Sequence, residues 1–311
     1  MVACGRHANW FDRRSLASEL GGSNMTLNSP TCSVVMPCYN VANTLTAQLE
    51  RLLPQLEVAD AELILIDNNS SDLTLDLAQA AATHNDRIVV ATATGGQGVA
   101  YARNAGVKLA RSDKFLFCDA DDLVVHSWVK QMSDALQHHE VTTGSLDVET
   151  LNDQAMVKSR GPARRPMFYN LFPVAAGGNM GVQRAAWDKV GPLDEDLPSL
   201  EDMEWSLRAS LAGCDIAWLP DARISYRYRT EARKLWSQGF AYGRSRPPIA
   251  RKLFAETGQR PSIFEGFRSW VWLLVHLPQL VSPNRRAPVA WVAGNRLGQL
   301  LGSIESKFLV L

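Results

Sequence analysis

Three groups of residues could do chemistry at the spacing they have. Asp119-Ala120-Asp121, followed at once by Asp122, sets two carboxylates one residue apart with a third beside them. Hard oxygen donors of this kind suit Mg²⁺ or Mn²⁺, which complete their shells with phosphate and water. A solvated acidic turn is the plainer reading of D-x-D. Here, though, the cluster ends the apolar run Phe115-Leu116-Phe117-Cys118, which offers few ways to hold three close carboxylates without a cation. The second group is Asp67-Asn68-Asn69-Ser70-Ser71-Asp72. Asp67 could accept hydrogen bonds from a nucleobase or ribose, while Ser71 or Asp72 suits the cap of a following helix. The third is Ser199-Leu200-Glu201-Asp202. It reads as a capping box, Ser199 at the cap and Asp202 three residues on. It reads equally as a general base, since a carboxylate in the first turn of a helix is favoured in its ionised form. Spacing alone does not choose between the two.

Such groups must be held by elements that present them on one side. Ser33-Val34-Val35-Met36, residues 62–67, residues 87–91 and Lys114-Phe115-Leu116-Phe117-Cys118 read as short buried strands. Helical spacing follows each of them: Leu45, Leu49, Leu52 and Leu53; Leu73, Leu77 and Ala81; residues 101–110; and Val125, Trp128, Val129, Met132 and Leu136. Strands alternating with helices predict an α/β fold, a mixed and mostly parallel sheet with helices on both faces. Ligands of such sheets bind at the carboxyl ends of the strands, where Asp67 and Asp119 to Asp122 fall. From 142 to 169 the pattern weakens, and 160–166 reads as a basic loop. Residues 177–182, rich in glycine, read as a strand close to a ligand. A helix is expected from near Ser199, with Met203, Leu207 and Leu211 on one face and Gly213 at its end.

The 311 residues carry 32 basic and 32 acidic side chains, yet from Arg233 onward there are twelve Lys or Arg against three Glu. The front is therefore acidic and the tail basic, which suggests two jobs. Residues 1–29 lack the apolar core of a signal peptide and read as a loose arm. Five cysteines without C-x-x-C pairs predict buried reduced thiols, hence a cytoplasmic protein, and no zinc site. Residues 269–278 are apolar but too short to span a bilayer, and 287–301 are amphipathic. Trp, Leu and Arg together suit helices on the inner, anionic face of a membrane, while a helical appendage packed on the catalytic domain accounts for them equally.

The ordered set of motifs resembles family 2 glycosyltransferases, which have the GT-A fold. Ser33-Val34-Val35-Met36-Pro37-Cys38-Tyr39-Asn40 is similar to the family's opening strand, and Ile66 to Asp72 to its V-D-D-x-S-x-D. Tyr101-Ala102-Arg103-Asn104-Ala105-Gly106 resembles its A-R-N-x-G helix, and Asp119 to Asp122 its metal motif. Gly178-Asn179-Met180, Val190-Gly191-Pro192-Leu193-Asp194 and Glu201-Asp202 resemble its acceptor-side motifs. The resemblance covers residues 31–230. It implies a transferase domain over 30–230, and residues 231–311, outside it, read as a basic, Trp-rich helical tail. It further implies that Pro37, Tyr39, Asp67, Arg103, Asp119 and Ala120 bind the nucleotide-sugar, that Asp121 binds the cation and that Asp202 is the base of an inverting reaction. Gly178, Asn179, Glu201, Arg227 and Arg229 would serve the acceptor or the diphosphate. The expected partners are a nucleotide-diphosphate sugar and a sugar or lipid-linked acceptor, with no nucleic acid. Asn68 departs from the family's second Asp, and Tyr228 stands where a metal-binding His is common. A nucleotidyltransferase would need a Gly- and Lys-rich phosphate loop that Cys38-Tyr39-Asn40 does not offer. A silent sugar-nucleotide-binding protein is disfavoured by Asp121 and Asp202 occurring together.

Overall fold

The structure is a computed structural model that describes residues 29–154, 157, 165–282 and 286–310. Four parallel strands make one half of the sheet: β1 (Cys32–Cys38), β2 (Ala61–Asp67), β3 (Ile88–Thr92) and β4 (Lys114–Cys118). β1 and β2 are apolar nearly throughout because both faces of this half are covered. The other half adds β5 (Leu123–Val124), β6 (Val141–Asp147), β9 (Asn179–Gln183) and β10 (Ile216–Ser225). The order is β3-β2-β1-β4-β9-β6-β10-β5, with β9 antiparallel to both its neighbours and β5 antiparallel to β10. A hairpin of β7 (Met167–Phe168) and β8 (Phe172–Pro173) stands apart.

The helices cover the sheet on its two faces. On one lie α1 (Leu45–Val58), α2 (Thr74–Thr83) and α4 (Trp128–Ala135); their apolar residues share a core with Val34, Met36, Leu63, Leu65 and Leu116. On the other, α3 (Val99–Leu109), α5 (Arg184–Val190) and α6 (Glu201–Leu211) pack on Val35, Ile64, Ile66, Phe115 and Phe117. The alternation of β1 residues between the two cores is the period-2 geometry of a strand. Close approach is built in at Gly106, where a Cβ would stand 2.3 Å from Val35 Cγ1.

Two of the longer strands escape the sequence pattern. β6 reads Val-Thr-Thr-Gly-Ser-Leu-Asp, with no apolar alternation, and β10 is broken by Pro220 with a register shift between Leu219 and Ile224. Proline is tolerated at such an irregularity because no ladder bond is lost there. α6 also begins differently from the expected capping box. Leu200, not Ser199, precedes it, with φ 63° in the left-handed region, and the Ser199 N–H donates to Ser245 Oγ. Leu211 is exposed, while Leu207 is buried and Met203 partly so. Gly213, with φ 76°, closes this helix as expected. Most of the basic loop at 160–166 and all of 1–28 lie outside the described residues.

The tail forms α7 (Ala232–Thr257), α8 (Ile263–His276), a 3₁₀ turn (Leu277–Val281) and α9 (Arg286–Ser306). α7 and α9 run parallel with their backbones almost touching. A Cβ on Gly239 would lie 2.3 Å from Trp291 O and one on Gly243 2.0 Å from Asn295 O; one on Gly298 would lie 2.1 Å from Phe240 O. Only glycine allows so close an approach. Leu200 and Leu207 share a core with Ile249, Leu253, Phe308 and the β7–β8 hairpin, so the tail is packed on the sheet domain. Gly243→Ala must push backbone against backbone, and overpacking of this kind costs about 1–3 kcal/mol. We expect that loss of stability in denaturant titration; an unchanged midpoint would show that the helices separate freely.

Candidate active site

The site begins with register. β4 pairs with β9 so that Cys118 faces Asn179, which sets Asp119 beside Gly178. A Cβ on Gly178 would come within 2.6 Å of Asp119 Oδ2, and one on Gly177 within 2.4 Å of Arg103 Nη1. The two glycines thus leave room for a charged bridge. Arg103, buried on α3, donates from Nη2 to Asp119 Oδ1 and from Nη1 to Glu201 Oε1, both at 2.7 Å. Burial pulls the Arg103 pKa down, but Asp119, Glu201 and Asp202 outweigh it and the guanidinium stays charged. Glu201 is nearly as buried; burial first, then the charge of Asp202, pushes it up to about 7, against the pull of Arg103.

Asp202 faces differently. Its Oδ2 accepts from the Gly177 N–H at 2.8 Å and its Oδ1 from the Met203 N–H at 2.8 Å, and it lines the cleft in the first turn of α6. The left-handed Leu200 just before it is the kind of local strain that persists only where surrounding structure fixes it.

The carboxylates of Asp119, Asp121 and Asp122 can bring one oxygen each within 4.8 Å of one another. Asp121 opens into the cleft, and desolvation followed by Asp119 raises its carboxyl. Asp122 is buried, accepts from the Arg227 N–H at 2.8 Å and is pushed up to about 9 by burial, then by Asp119 and Asp121. Three crowded carboxylates, of which Asp121 and Asp122 resist ionising, fit a divalent cation, whose charge reverses that penalty. A carboxyl whose folded pKa lies above its unfolded value stabilises the fold at low pH, and that stability is lost as pH rises through the folded value. Without cation, melting temperature should therefore fall between about pH 5 and pH 9. Mn²⁺ or Mg²⁺ should restore it, by more at the higher pH. Melting curves with chelator and with cation that coincide at every pH would show that no cation binds there.

A cleft of about 590 Å³ gathers most of these residues. Pro37, Tyr39, Arg103, Asp119, Ala120, Asp121, Gly178, Asn179, Glu201, Asp202, Arg227 and Arg229 all line it. Asp67 is not in its wall. It lies behind, buried, with Oδ1 unpaired and Oδ2 accepting from Ser70 N–H at 3.3 Å. Its neighbour Asn68 reaches the cleft and pins the loop before α3. Its Nδ2 donates to Gly96 O at 2.8 Å and its Oδ1 accepts from Gly98 N–H at 2.8 Å. A second Asp there could not donate. The Asn179 amide is spent on the sheet, donating to Ser145 O and Ala222 O and accepting from Trp128 Nε1. Asn104, in the same turn of α3 as Arg103, holds the Leu193 backbone and Glu195. Arg227 Nε donates to Asp121 O at 3.1 Å, so its charge sits against the acidic cluster.

Sequence reasoning missed one wall. Ser237, Gln238, Ala241 and Tyr242 of α7 line the cleft, although they belong to the basic tail. Burial, then Asp202 and Glu201, pushes the Tyr242 hydroxyl up to about 12. The one signal that could have found this wall is the glycine spacing Gly239-x₃-Gly243 and Gly294-x₃-Gly298-x₃-Gly302, which marks α7 as one of a tight pair.

Known proteins are related to the chain in sequence or in fold. The family described as Glycosyl transferase family 2 matches residues 33–191. Succinoglycan biosynthesis protein ExoA of Rhizobium meliloti is 25% identical over 76% of each chain. An uncharacterized glycosyltransferase of Haemophilus influenzae is 33% identical over 38% of this chain, and the match spans 47% of its own length. Among solved structures, mannosyltransferase PcManGT from Pyrobaculum calidifontis, in complex with GDP-Man and Mn²⁺, superposes with a TM-score of 0.57 over 93% of both chains at 15% identity. S. aureus TarS 1-349 with UDP-GlcNAc gives 0.51 over 90% of this chain and 93% of its own, at 19% identity. The sheet is that of the GT-A fold, and the chain belongs to glycosyl transferase family 2.

Proposed function

We propose that the chain transfers a sugar, of hexosyl type, from a nucleotide-diphosphate donor to an acceptor hydroxyl, with inversion at the anomeric carbon. One observation carries the reading: a single cleft holds the Asp119, Asp121 and Asp122 cluster in one wall and Asp202, at a helix N-terminus, in another. The bound GDP-Man and Mn²⁺ of the Pyrobaculum mannosyltransferase support the donor class and a divalent cation.

Tyr39 and Pro37 line the nucleotide end, with Asp67 buried behind them and holding the Ser70 N–H. Arg103 holds Asp119 toward the sugar side. Mg²⁺ or Mn²⁺, held by Asp121 with its two neighbours, would offset charge on the diphosphate when bound. Asp202 takes the proton of the acceptor hydroxyl as its oxygen attacks the anomeric carbon, and the bond to the diphosphate breaks on the opposite face. Arg227 and Arg229 stabilise the negative charge left on the diphosphate. Gly178 makes room for the Asp119 carboxylate on the sugar or acceptor side, and the α7 wall bounds the acceptor side. The reduced, buried cysteines at 32, 38, 118 and 214 are consistent with work in the cytoplasm.

The test is nucleoside-diphosphate release from a panel of sugar nucleotides, with Mn²⁺ or Mg²⁺ and with chelator, for wild type and Asp121→Asn. Release that needs both the cation and Asp121 supports the donor class and the metal site. Absence of nucleotide binding under every condition would sink the reading.

A further inference from the structure

α8 carries an apolar stripe on the wrong side for a helix of a water-soluble protein. Phe267, Val271, Leu274 and Val275 recur at i, i+4, i+7 and i+8 and are 63%, 45%, 68% and 69% exposed. The 3₁₀ turn continues the stripe to Val281, 89% exposed. A surface helix ordinarily buries such a stripe. Here the inward face is narrow: Leu273, helped by Trp270, packs on Val289 and Ala293 of α9. An exposed run of this extent marks a surface that something covers.

Charge indicates what covers it. Arg268 beside the stripe and Arg286 at the start of α9 are exposed, and from Arg233 onward basic residues outnumber acidic ones twelve to three. Two such tails brought face to face would repel, whereas an anionic surface attracts each of them. Among the described residues no helix is long and apolar enough to cross a membrane, so α8 would lie in the plane of the interface. The stripe is also near the chemistry. α9 meets Gly239 of α7 at Trp291, between the Val289 and Ala293 that carry α8, and the adjacent Gln238 lines the cleft.

We propose that the outward stripe of α8 and its 3₁₀ turn seat the protein on an anionic lipid bilayer, presenting the cleft to a lipid-linked acceptor. The substrate half of this statement rests on the transferase reading; the seat does not. Removing the tail is a poor test, because α7 shares a core with α6 and lines the cleft, and α9 packs backbone to backbone on α7.

Flotation of the full chain with phosphatidylcholine vesicles, with and without phosphatidylglycerol, tests the seat directly. Wild type should float with the anionic vesicles. Leu274→Asp/Val275→Asp should reduce binding about tenfold or more, with unchanged melting temperature because both side chains already face solvent. Arg268→Glu/Arg286→Glu should lose binding to anionic vesicles while the stripe is intact. In all three proteins, donor hydrolysis without acceptor should be the same, so failure of the seat and failure of the transferase reading are told apart. Wild type that stays with neither vesicle overturns the proposal. So does a vesicle-free dimer of wild type that the Leu274→Asp/Val275→Asp change disperses, since the stripe would then be covered by a second copy.

Discussion

Asp202→Asn is expected to remove sugar transfer while leaving donor binding in place. Among the described residues, the carboxylate is the one acidic group lining the cleft that stands outside both the Asp119 to Asp122 cluster and the Arg103 bridge. Its Oδ2 accepts from Gly177 N–H and its Oδ1 from Met203 N–H. An asparagine keeps one oxygen acceptor, so the local fold should hold while basicity is lost. Loss of a positioned general base costs about 10²–10⁴-fold in rate. The expected result is a fall of that size in kcat with acceptor present. Cation-dependent nucleotide binding, and slow donor hydrolysis without acceptor, should be little changed. If kcat is retained, Asp202 is not the base. If nucleotide binding is lost together with kcat, Asp202 serves the donor instead.

How much of this was legible in the sequence depends on which force sets each element. The four parallel strands announce themselves because their residues are apolar on both faces, and the acidic groups follow them directly in the chain. β6 and β10 were not legible, because they are held by partners distant in sequence. Gly144 exists to admit Ala222 O, toward which a Cβ would press to 1.9 Å, and no local pattern encodes that need. The capping reading of Ser199 failed for a related reason. Ser199 is engaged by Ser245, 46 residues away, and this tertiary bond leaves Leu200 to open α6. Asp119, Asp121 and Asp202 could be found by type and order, yet Arg103 shows its bridging position only when Gly177 and Gly178 are seen to make space for it. Asn68, a departure from the resemblance at the level of sequence, has a positive reason in space, since the loop before α3 needs an amide donor.

Arg103→Leu should cost both stability and activity. Arg103 is the counter-charge that lets Asp119 and Glu201 approach the same buried point from β4 and α6, and its own Nε is buried without a partner. Removing one member of a buried ion bridge typically destabilises by about 3–5 kcal/mol, because the remaining charge is stranded. Glu201 would lose the attraction that opposes its burial, so its pKa, already about 7, should rise further and leave it neutral at physiological pH. Asp119 would lose the partner that holds it against Gly178, and donor KM should rise with the loss of its fixed position. Arg103→Lys should rescue little, since one ammonium cannot span the two carboxylates as the planar guanidinium does. A double-mutant cycle decides between a bridge and a mere packing role. If Glu201→Gln adds little to the instability of Arg103→Leu, or partly relieves it, the stranded charge is the cause. If the two losses simply add, Arg103 and Glu201 act independently and the bridge contributes nothing to holding Asp119 and the first turn of α6 in one frame.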